Sequence, residues 1–280
     1  MSPERLAKRA RRRRLLALGC LLGLLTWLTL NGAFALRDAS EASLDPGGDG
    51  GSWTGDYVPA LSSRPLRPEV RVWRWEPAQR LANSLAGPVR VGVQVGHLEA
   101  GDQPRELASL RTSTGGHWDG VDEVDVNQEV AARLAALLER RGIVVDMLSA
   151  TVPPGYQADL VLSLHVDANA DEDRRGYKSA HFRPARNVLE PLLKLVVDRA
   201  MLATGLPDDD RNVSGNMLVY YAFNHRRYRH AVARSTPALI VELGYLSNPA
   251  DQRLLDDSEA LAVALGSGVV DYLRAVGRLP

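Results

Sequence analysis

The 280-residue sequence has almost no cysteine; Cys20 is the only one. A lone thiol forbids a disulfide within the chain and excludes every zinc site built from several thiolates. The HExxH, phosphate-loop and GxSxG patterns are missing, and no internal repeat is visible. The spacing of an EF-hand is missing too, so Asp208-Asp209-Asp210 reads as a solvated turn and not a calcium loop. Net charge is also lacking, with 34 basic and 34 acidic residues. What remains is 45% hydrophobic and 24% charged, enough apolar material for a sizeable core. That composition excludes collagen-like, wholly disordered and multispanning chains.

The zero balance conceals an asymmetry. Residues 1–14 hold Arg5, Lys8, Arg9, Arg11, Arg12, Arg13 and Arg14 against Glu4, a net +6, which leaves 27 basic and 33 acidic residues in the remainder. A mildly acidic folded part disfavours nucleic acid as a partner, because phosphates need a basic surface. Leu15 to Leu36 runs 22 residues without a charge. A helix of that length rises about 33 Å, enough to cross a bilayer core of about 30 Å. The basic cluster before it should stay in the cytoplasm, which places the rest of the chain outside. Ala33-Phe34-Ala35 also fits the end of a cleavable signal peptide. An anchor and a signal both remain open, and both make the C-terminal part extracytoplasmic. Residues 37–87 read as a linker rich in Gly, Pro, Ser and Asp, interrupted by the strand-like alternation Val70 to Trp75.

From residue 88 to 280 the pattern predicts one α/β domain. Strands are expected at Val89–Val95, Ile143–Leu148, Leu160–His165, Gly176–Phe182, Met217–Tyr221 and Ala238–Leu243, and helices at Val124–Arg141, Leu189–Thr204 and Ser258–Val276. Strands alternating with helices imply a mostly parallel, mixed sheet with helices on both faces.

Three ionisable residues close three of those strands: His97, His165 and Glu242. Open α/β sheets bind ligands at the carboxyl ends of their strands, so the three are candidates for one pocket. Glu123 opens the first long helix, where the helix dipole favours an ionised carboxylate. Two imidazoles plus one carboxylate form a common catalytic zinc set, and a second carboxylate beside such a metal can take a proton from water. Each residue also has a plainer reading, as a hydrogen-bonded histidine or a first-turn helix residue. On spacing alone His117, His181, His225, His230 and Asp167 are rival ligands. The run His225-Arg226-Arg227-Tyr228-Arg229-His230 could grip an anionic polymer or form a solvated, salt-bridged loop.

Four ordered segments carry a resemblance: Val95-Gly96-His97; Glu123-Val124-Asp125-Val126-Asn127; Ala158-Asp159 through Ser163-Leu164-His165; and Val241-Glu242 through Asn248. Together they make residues 89–276 resemble the zinc-dependent N-acetylmuramoyl-L-alanine amidases called amidase type 3. The resemblance implies zinc held by His97, Glu123 and His165, Glu242 as the catalytic glutamate, peptidoglycan as substrate, and a mixed sheet flanked by helices. The chain departs from that pattern at Leu98-Glu99-Ala100-Gly101, where glycines are usual, at Asp167, where Asn is usual, and at Ala150–Tyr156. The metal set is untouched by these changes; substrate preference is the property they bear on. A zinc-holding wall binder of low turnover, or a zinc peptidase or deacetylase acting on another amide, are the alternative functions. A paired-carboxylate glycosidase has no need of the two histidines.

Overall fold

The computed structural model describes residues 87–280. The basic segment 1–14, the apolar segment 15–36 and, but for its last residue, the linker 37–87 lie outside the described residues. Among those that are described, no helix is long and apolar enough to cross a membrane.

Among the described residues seven strands are present: β1 (Arg90–Val95), β2 (His117–Trp118), β3 (Val121–Asp122), β4 (Val144–Leu148), β5 (Leu160–Asp167), β6 (Lys178–Ala180) and β7 (Ala238–Tyr245). The helices are α1 (Glu123–Glu139), α2 (Glu190–Leu202), α3 (Gly215–Leu218), α4 (Pro249–Leu255) and α5 (Ser258–Ala275). The main sheet runs β4-β1-β5-β7-β6. Its first four strands are parallel and β6 lies antiparallel to β7, so the sheet is mixed, as expected. β2 and β3 form a separate two-stranded hairpin just before α1.

The alternation of the central strands sorts the two faces. Val91, Val93 and Val95 of β1, Leu160, Leu162 and Leu164 of β5, and Leu239, Val241 and Leu243 of β7 are all buried in one apolar cluster. The long helices α1, α2 and α5 cover that face. Helix α1 supplies Val130, Leu134, Leu137 and Leu138, a stripe at helical spacing, and Gly142 (φ +75°) lets the chain turn back into β4. Helices α2 and α5 cross closely because Gly268 has no side chain; a Cβ there would sit 2.9 Å from the Val197 Cα.

The opposite face differs from the expectation of helices on both sides. Gly92, Gln94, Ser163 and His165 point to it and interrupt its apolar residues Val161, Ala238 and Ile240, so it lacks the continuous apolar surface of the first face. It is roofed mainly by irregular backbone carrying Val152, Tyr156, Met217, Tyr220, Phe223 and Val232. Met217–Tyr221 is correspondingly not a strand. Ser214 caps α3, its Oγ accepting from Met217 N at 3.2 Å, and a 3₁₀ turn follows at Tyr221–Phe223. A capping hydroxyl outweighed the β-propensity of Val219-Tyr220-Tyr221. Helix α4, which the strand and helix patterns do not announce, starts at Asn248-Pro249; the Asn248 side chain accepts from the amides of Ala250 and Asp251.

Leu162 lies fully buried at the centre of the sheet. Leu162→Ala is expected to lower unfolding stability by about 2–5 kcal/mol, read as a shifted denaturant midpoint with an unchanged slope.

Candidate metal centre

The site is assembled at the carboxyl ends of β1, β5 and β7. Gly96 continues the ladder past β1, its N–H donating to Leu164 O at 2.9 Å. It must be glycine, since a Cβ would lie 2.5 Å from the His165 ring and 2.6 Å from the Leu164 carbonyl oxygen. The chain then bends sharply, with His97 at φ +65° and Glu99 at φ +56°. Left-handed backbone at a residue other than glycine costs about 1 kcal/mol and is tolerated where contacts hold it. Here the bend turns the His97 ring inward. Its Nδ1 lies 2.7 Å from the Ser113 carbonyl oxygen. A carbonyl only accepts, so Nδ1 carries a hydrogen; the neutral ring keeps its lone pair on Nε2, and the protonated ring donates from Nε2 to Glu123.

Glu123 opens α1 and is nearly fully buried at 5% exposure. Its Oε2 accepts from Gly116 N at 2.7 Å and its Oε1 from Val166 N at 3.2 Å. Oε1 also faces His165 Nδ1 at 2.9 Å and His97 Nε2 at 3.4 Å. The His97 and His165 rings meet edge to face with centroids 4.9 Å apart. One donor atom from each of the three residues lies within 4.8 Å of the other two. Two imidazole nitrogens and a carboxylate oxygen, converging and partly buried, could hold a divalent transition metal and suit zinc.

Electrostatics follows from that convergence. Burial alone would raise the Glu123 pKa, but the hydrogen bonds and charges of His165 and His97 reverse this and hold it below the usual carboxylate range. Burial would lower the His97 pKa; Glu123 and the Ser113 carbonyl outweigh it and raise it. Glu242 sits beside His165 in the β5–β7 register. Its Oε2 is buried with no hydrogen-bond partner among the described residues. Burial, then the charges of Glu123 and Asp167, push its pKa well above the ordinary value, with Lys178 opposing.

The rivals stand outside that cluster. His117 pairs with Asp122 at 2.7 Å on the exposed hairpin, His181 Nδ1 meets the Phe182 carbonyl oxygen at 2.9 Å, and His230 pairs with Glu106 at 2.6 Å. Burial lowers the pKa of His225. Asp167 forms an ion pair with Lys178. Among the described residues only His97, Glu123 and His165 form a metal-type cluster.

Two neighbours escaped sequence reasoning. Lys178 lies opposite Glu242 in the β6–β7 register, and its Nζ also donates to the Tyr245 hydroxyl at 2.7 Å. Tyr220 places its hydroxyl 3.0 Å from His165 Nε2. The β6–β7 register could have pointed to Lys178; Tyr220 was hidden in the segment misread as a strand.

The basic run 225–230 is an exposed loop with Arg227 stacked on Tyr228. Its end is clamped by Glu106, which accepts from Arg229 N at 3.0 Å, His230 N at 2.7 Å and His230 Nδ1.

The sequence matches a family model described as N-acetylmuramoyl-L-alanine amidase over residues 91–270. No curated protein matches the chain. Among solved structures, the N-acetylmuramyl-L-alanine amidase Ami1 from Mycobacterium smegmatis is 17% identical, with a TM-score of 0.50 over 66% of this chain and 97% of that one. The apo form of Ami1 from Mycobacterium abscessus is 20% identical, with a TM-score of 0.49 over 68% and 100%. At such identity, the M. smegmatis likeness speaks to the fold.

Two outcomes follow from this geometry. Gly96→Ala should displace the His165 ring and weaken metal binding by tenfold or more in a chelator competition; an unchanged affinity would show that the ring has room to move. The two amides and the imidazole of residues 229–230 hold the Glu106 carboxyl at about 2, against an ordinary 4.5. Its folded pKa is the lower one, so the clamp's stabilisation is full above about 4.5 and fades as the pH falls toward 2. Protection of the Arg229 and His230 amides, taken as exchange relative to the intrinsic rate at each pH, should therefore fall on acidification, and Glu106→Gln should lower it at neutral pH.

Proposed function

The chain belongs to the N-acetylmuramoyl-L-alanine amidase family and is an enzyme of that class, and from this we propose that it hydrolyses, with zinc, the amide joining the lactyl group of N-acetylmuramic acid to the L-alanine of the peptidoglycan stem peptide. The observation that carries the reading is the convergence of His97, Glu123 and His165 beside a buried, unpartnered carboxylate oxygen of Glu242.

In this reading His97 Nε2, Glu123 Oε1 and His165 Nδ1 hold the ion. Zinc at such a site supplies Lewis acidity, polarising the scissile carbonyl and making water more acidic. The protein's own part is positioning and proton transfer. Glu242 takes a proton from the attacking water at Oε2 as the new C–O bond forms. It returns that proton to the amide nitrogen as the C–N bond breaks. The products are the lactyl carboxylic acid on an intact glycan and a stem peptide with a free L-alanyl amine. Lys178, committed to Asp167 and Tyr245, supports the Glu242 side of the cleft with a fixed positive charge.

The segment after His97 is consistent with this role despite its unusual sequence. A turn from His97 leads into a 3₁₀ helix at Ala100–Asp102, with Ala100 N donating to His97 O at 3.1 Å, and it keeps the ring inward. We further propose that the domain works outside the cytoplasm, where the wall lies. The basic residues 1–14 followed by the uncharged run 15–36 support that placement, by anchor or by cleaved signal.

Purified wall material, zinc quantification and product analysis test the proposal together. Glu242→Gln is expected to retain zinc and lose at least 100-fold in turnover, the scale of general acid–base catalysis. His165→Ala should lose zinc, and chelation of the parent should stop release of L-alanyl amines until zinc is restored. Parent-level turnover by Glu242→Gln would reject that residue's role. Zinc and wall binding without new amines would favour a binding protein, and cleavage at another amide would favour a peptidase or deacetylase.

A further inference from the structure

The two histidines of the centre have their ring nitrogens assigned by different means. For His97 the partner is a backbone carbonyl, which settles the matter alone. For His165 the partner of Nε2 is the Tyr220 hydroxyl, which can either donate or accept. A donated proton would push the ring hydrogen of a neutral imidazole onto Nδ1, where the Glu123 carboxylate 2.9 Å away accepts it, and that atom could not then hold an ion.

The residues behind Tyr220 resolve this ambiguity. Gln94 is fully buried, and its Nε2 donates to the Ala150 carbonyl oxygen at 2.9 Å. That contact fixes the amide's orientation and turns Oε1, an acceptor only, toward Ser163 and Tyr220. Ser163 Oγ donates to Oε1 at 2.7 Å, and the Tyr220 hydroxyl donates to it at 3.3 Å. Ser163 Oγ and the Tyr220 hydroxyl are 3.2 Å apart, so either route takes the tyrosine proton toward Gln94. The Tyr221 hydroxyl, 3.5 Å from that of Tyr220, gives its own proton to Ala150 O at 2.7 Å. With its proton engaged on that far side, Tyr220 would present only a lone pair to His165 Nε2, 3.0 Å away.

We propose that Gln94 and Tyr220 are positioning residues that fix the His165 tautomer, keeping hydrogen on Nε2 and the lone pair on Nδ1. The inference rests on the metal-centre reading above and deepens it: the Ala150 carbonyl orients Gln94, Gln94 orients Tyr220, and Tyr220 orients His165. Partners behind a ligating histidine commonly matter 10- to 100-fold in metal affinity.

The test measures zinc affinity by chelator competition on the full-length chain, with nitrogen NMR of the His165 ring in the zinc-loaded parent. The parent should bind zinc and carry its His165 proton on Nε2. Gln94→Met keeps the length of the side chain but removes the acceptor. The freed Tyr220 proton then turns to His165, and zinc binding should weaken roughly tenfold or more. Tyr220→Phe removes the partner without leaving a wrong donor, so its loss should be smaller. The double variant should recover to the Tyr220→Phe level, a coupling that mere loss of packing would not produce. A proton on Nδ1 in the zinc-loaded parent, parent-like affinity in Gln94→Met, or a double variant no tighter than Gln94→Met would each overturn the relay. If Gln94→Met fails to fold, the ring-proton measurement on the parent decides. A parent that binds no zinc would instead refute the metal centre itself, so the two failures are distinguishable.

Discussion

The Glu123 carboxylate ties together three stretches of backbone that chain order keeps far apart. One oxygen accepts from Gly116 just before the hairpin, the other from Val166 on the central strand, and the second also faces both imidazoles. The residue stands at the first turn of α1, where the helix's free amides favour a negative charge. Desolvating a carboxylate is costly, and here the cost is offset by two backbone donors and two imidazoles on one group. Once that group is fixed, the start of α1, the loop after β1 and the end of β5 are fixed relative to one another. The converging donor atoms are therefore a consequence of how the fold satisfies one buried charge.

A second buried charge system flanks it. Asp167, where the resembled family has Asn, adds a negative charge at the rim of the site. Lys178 answers it, and Tyr245 passes the connection on to Asp209 at 2.7 Å. Without such a cation the Asp167 carboxylate would stand unpaired beside Glu123 and Glu242. The pairing arises because β6 runs antiparallel against β7 and brings Lys178 into register with Glu242.

Much of this was legible in the sequence, for identifiable reasons. The apolar runs of β1, β5 and β7 and the spacing of Val130, Leu134 and Leu138 are periodic signals of local origin, and the structure places strands and a helix there. The histidines and glutamates at strand ends could be gathered into one candidate pocket because parallel strands align their carboxyl ends. What sequence alone did not reveal depends on competition or on distance. Val219-Tyr220-Tyr221 favours extended backbone by composition, yet the Ser214 cap commits the segment to a helical turn. Helices on both faces are the usual outcome for alternating strands and helices, but Gly92, Gln94, Ser163 and His165 interrupt the apolar surface of one face, and connecting backbone covers what remains. The tyrosine behind His165 is 55 residues away along the chain, and no local pattern announces such a partner.

The sheet thus has one side governed by helix packing and another roofed by connecting backbone. Interdigitated helices such as α2 and α5, which approach closely at Gly268, tolerate little change in volume. Irregular segments accept insertions and exchanges far more readily. Because His165 and Glu242 open toward the roofed side, the surroundings of the site can change while the helical layer goes on holding the strands in register. In this domain, durability and adaptability are assigned to opposite sides of a single sheet.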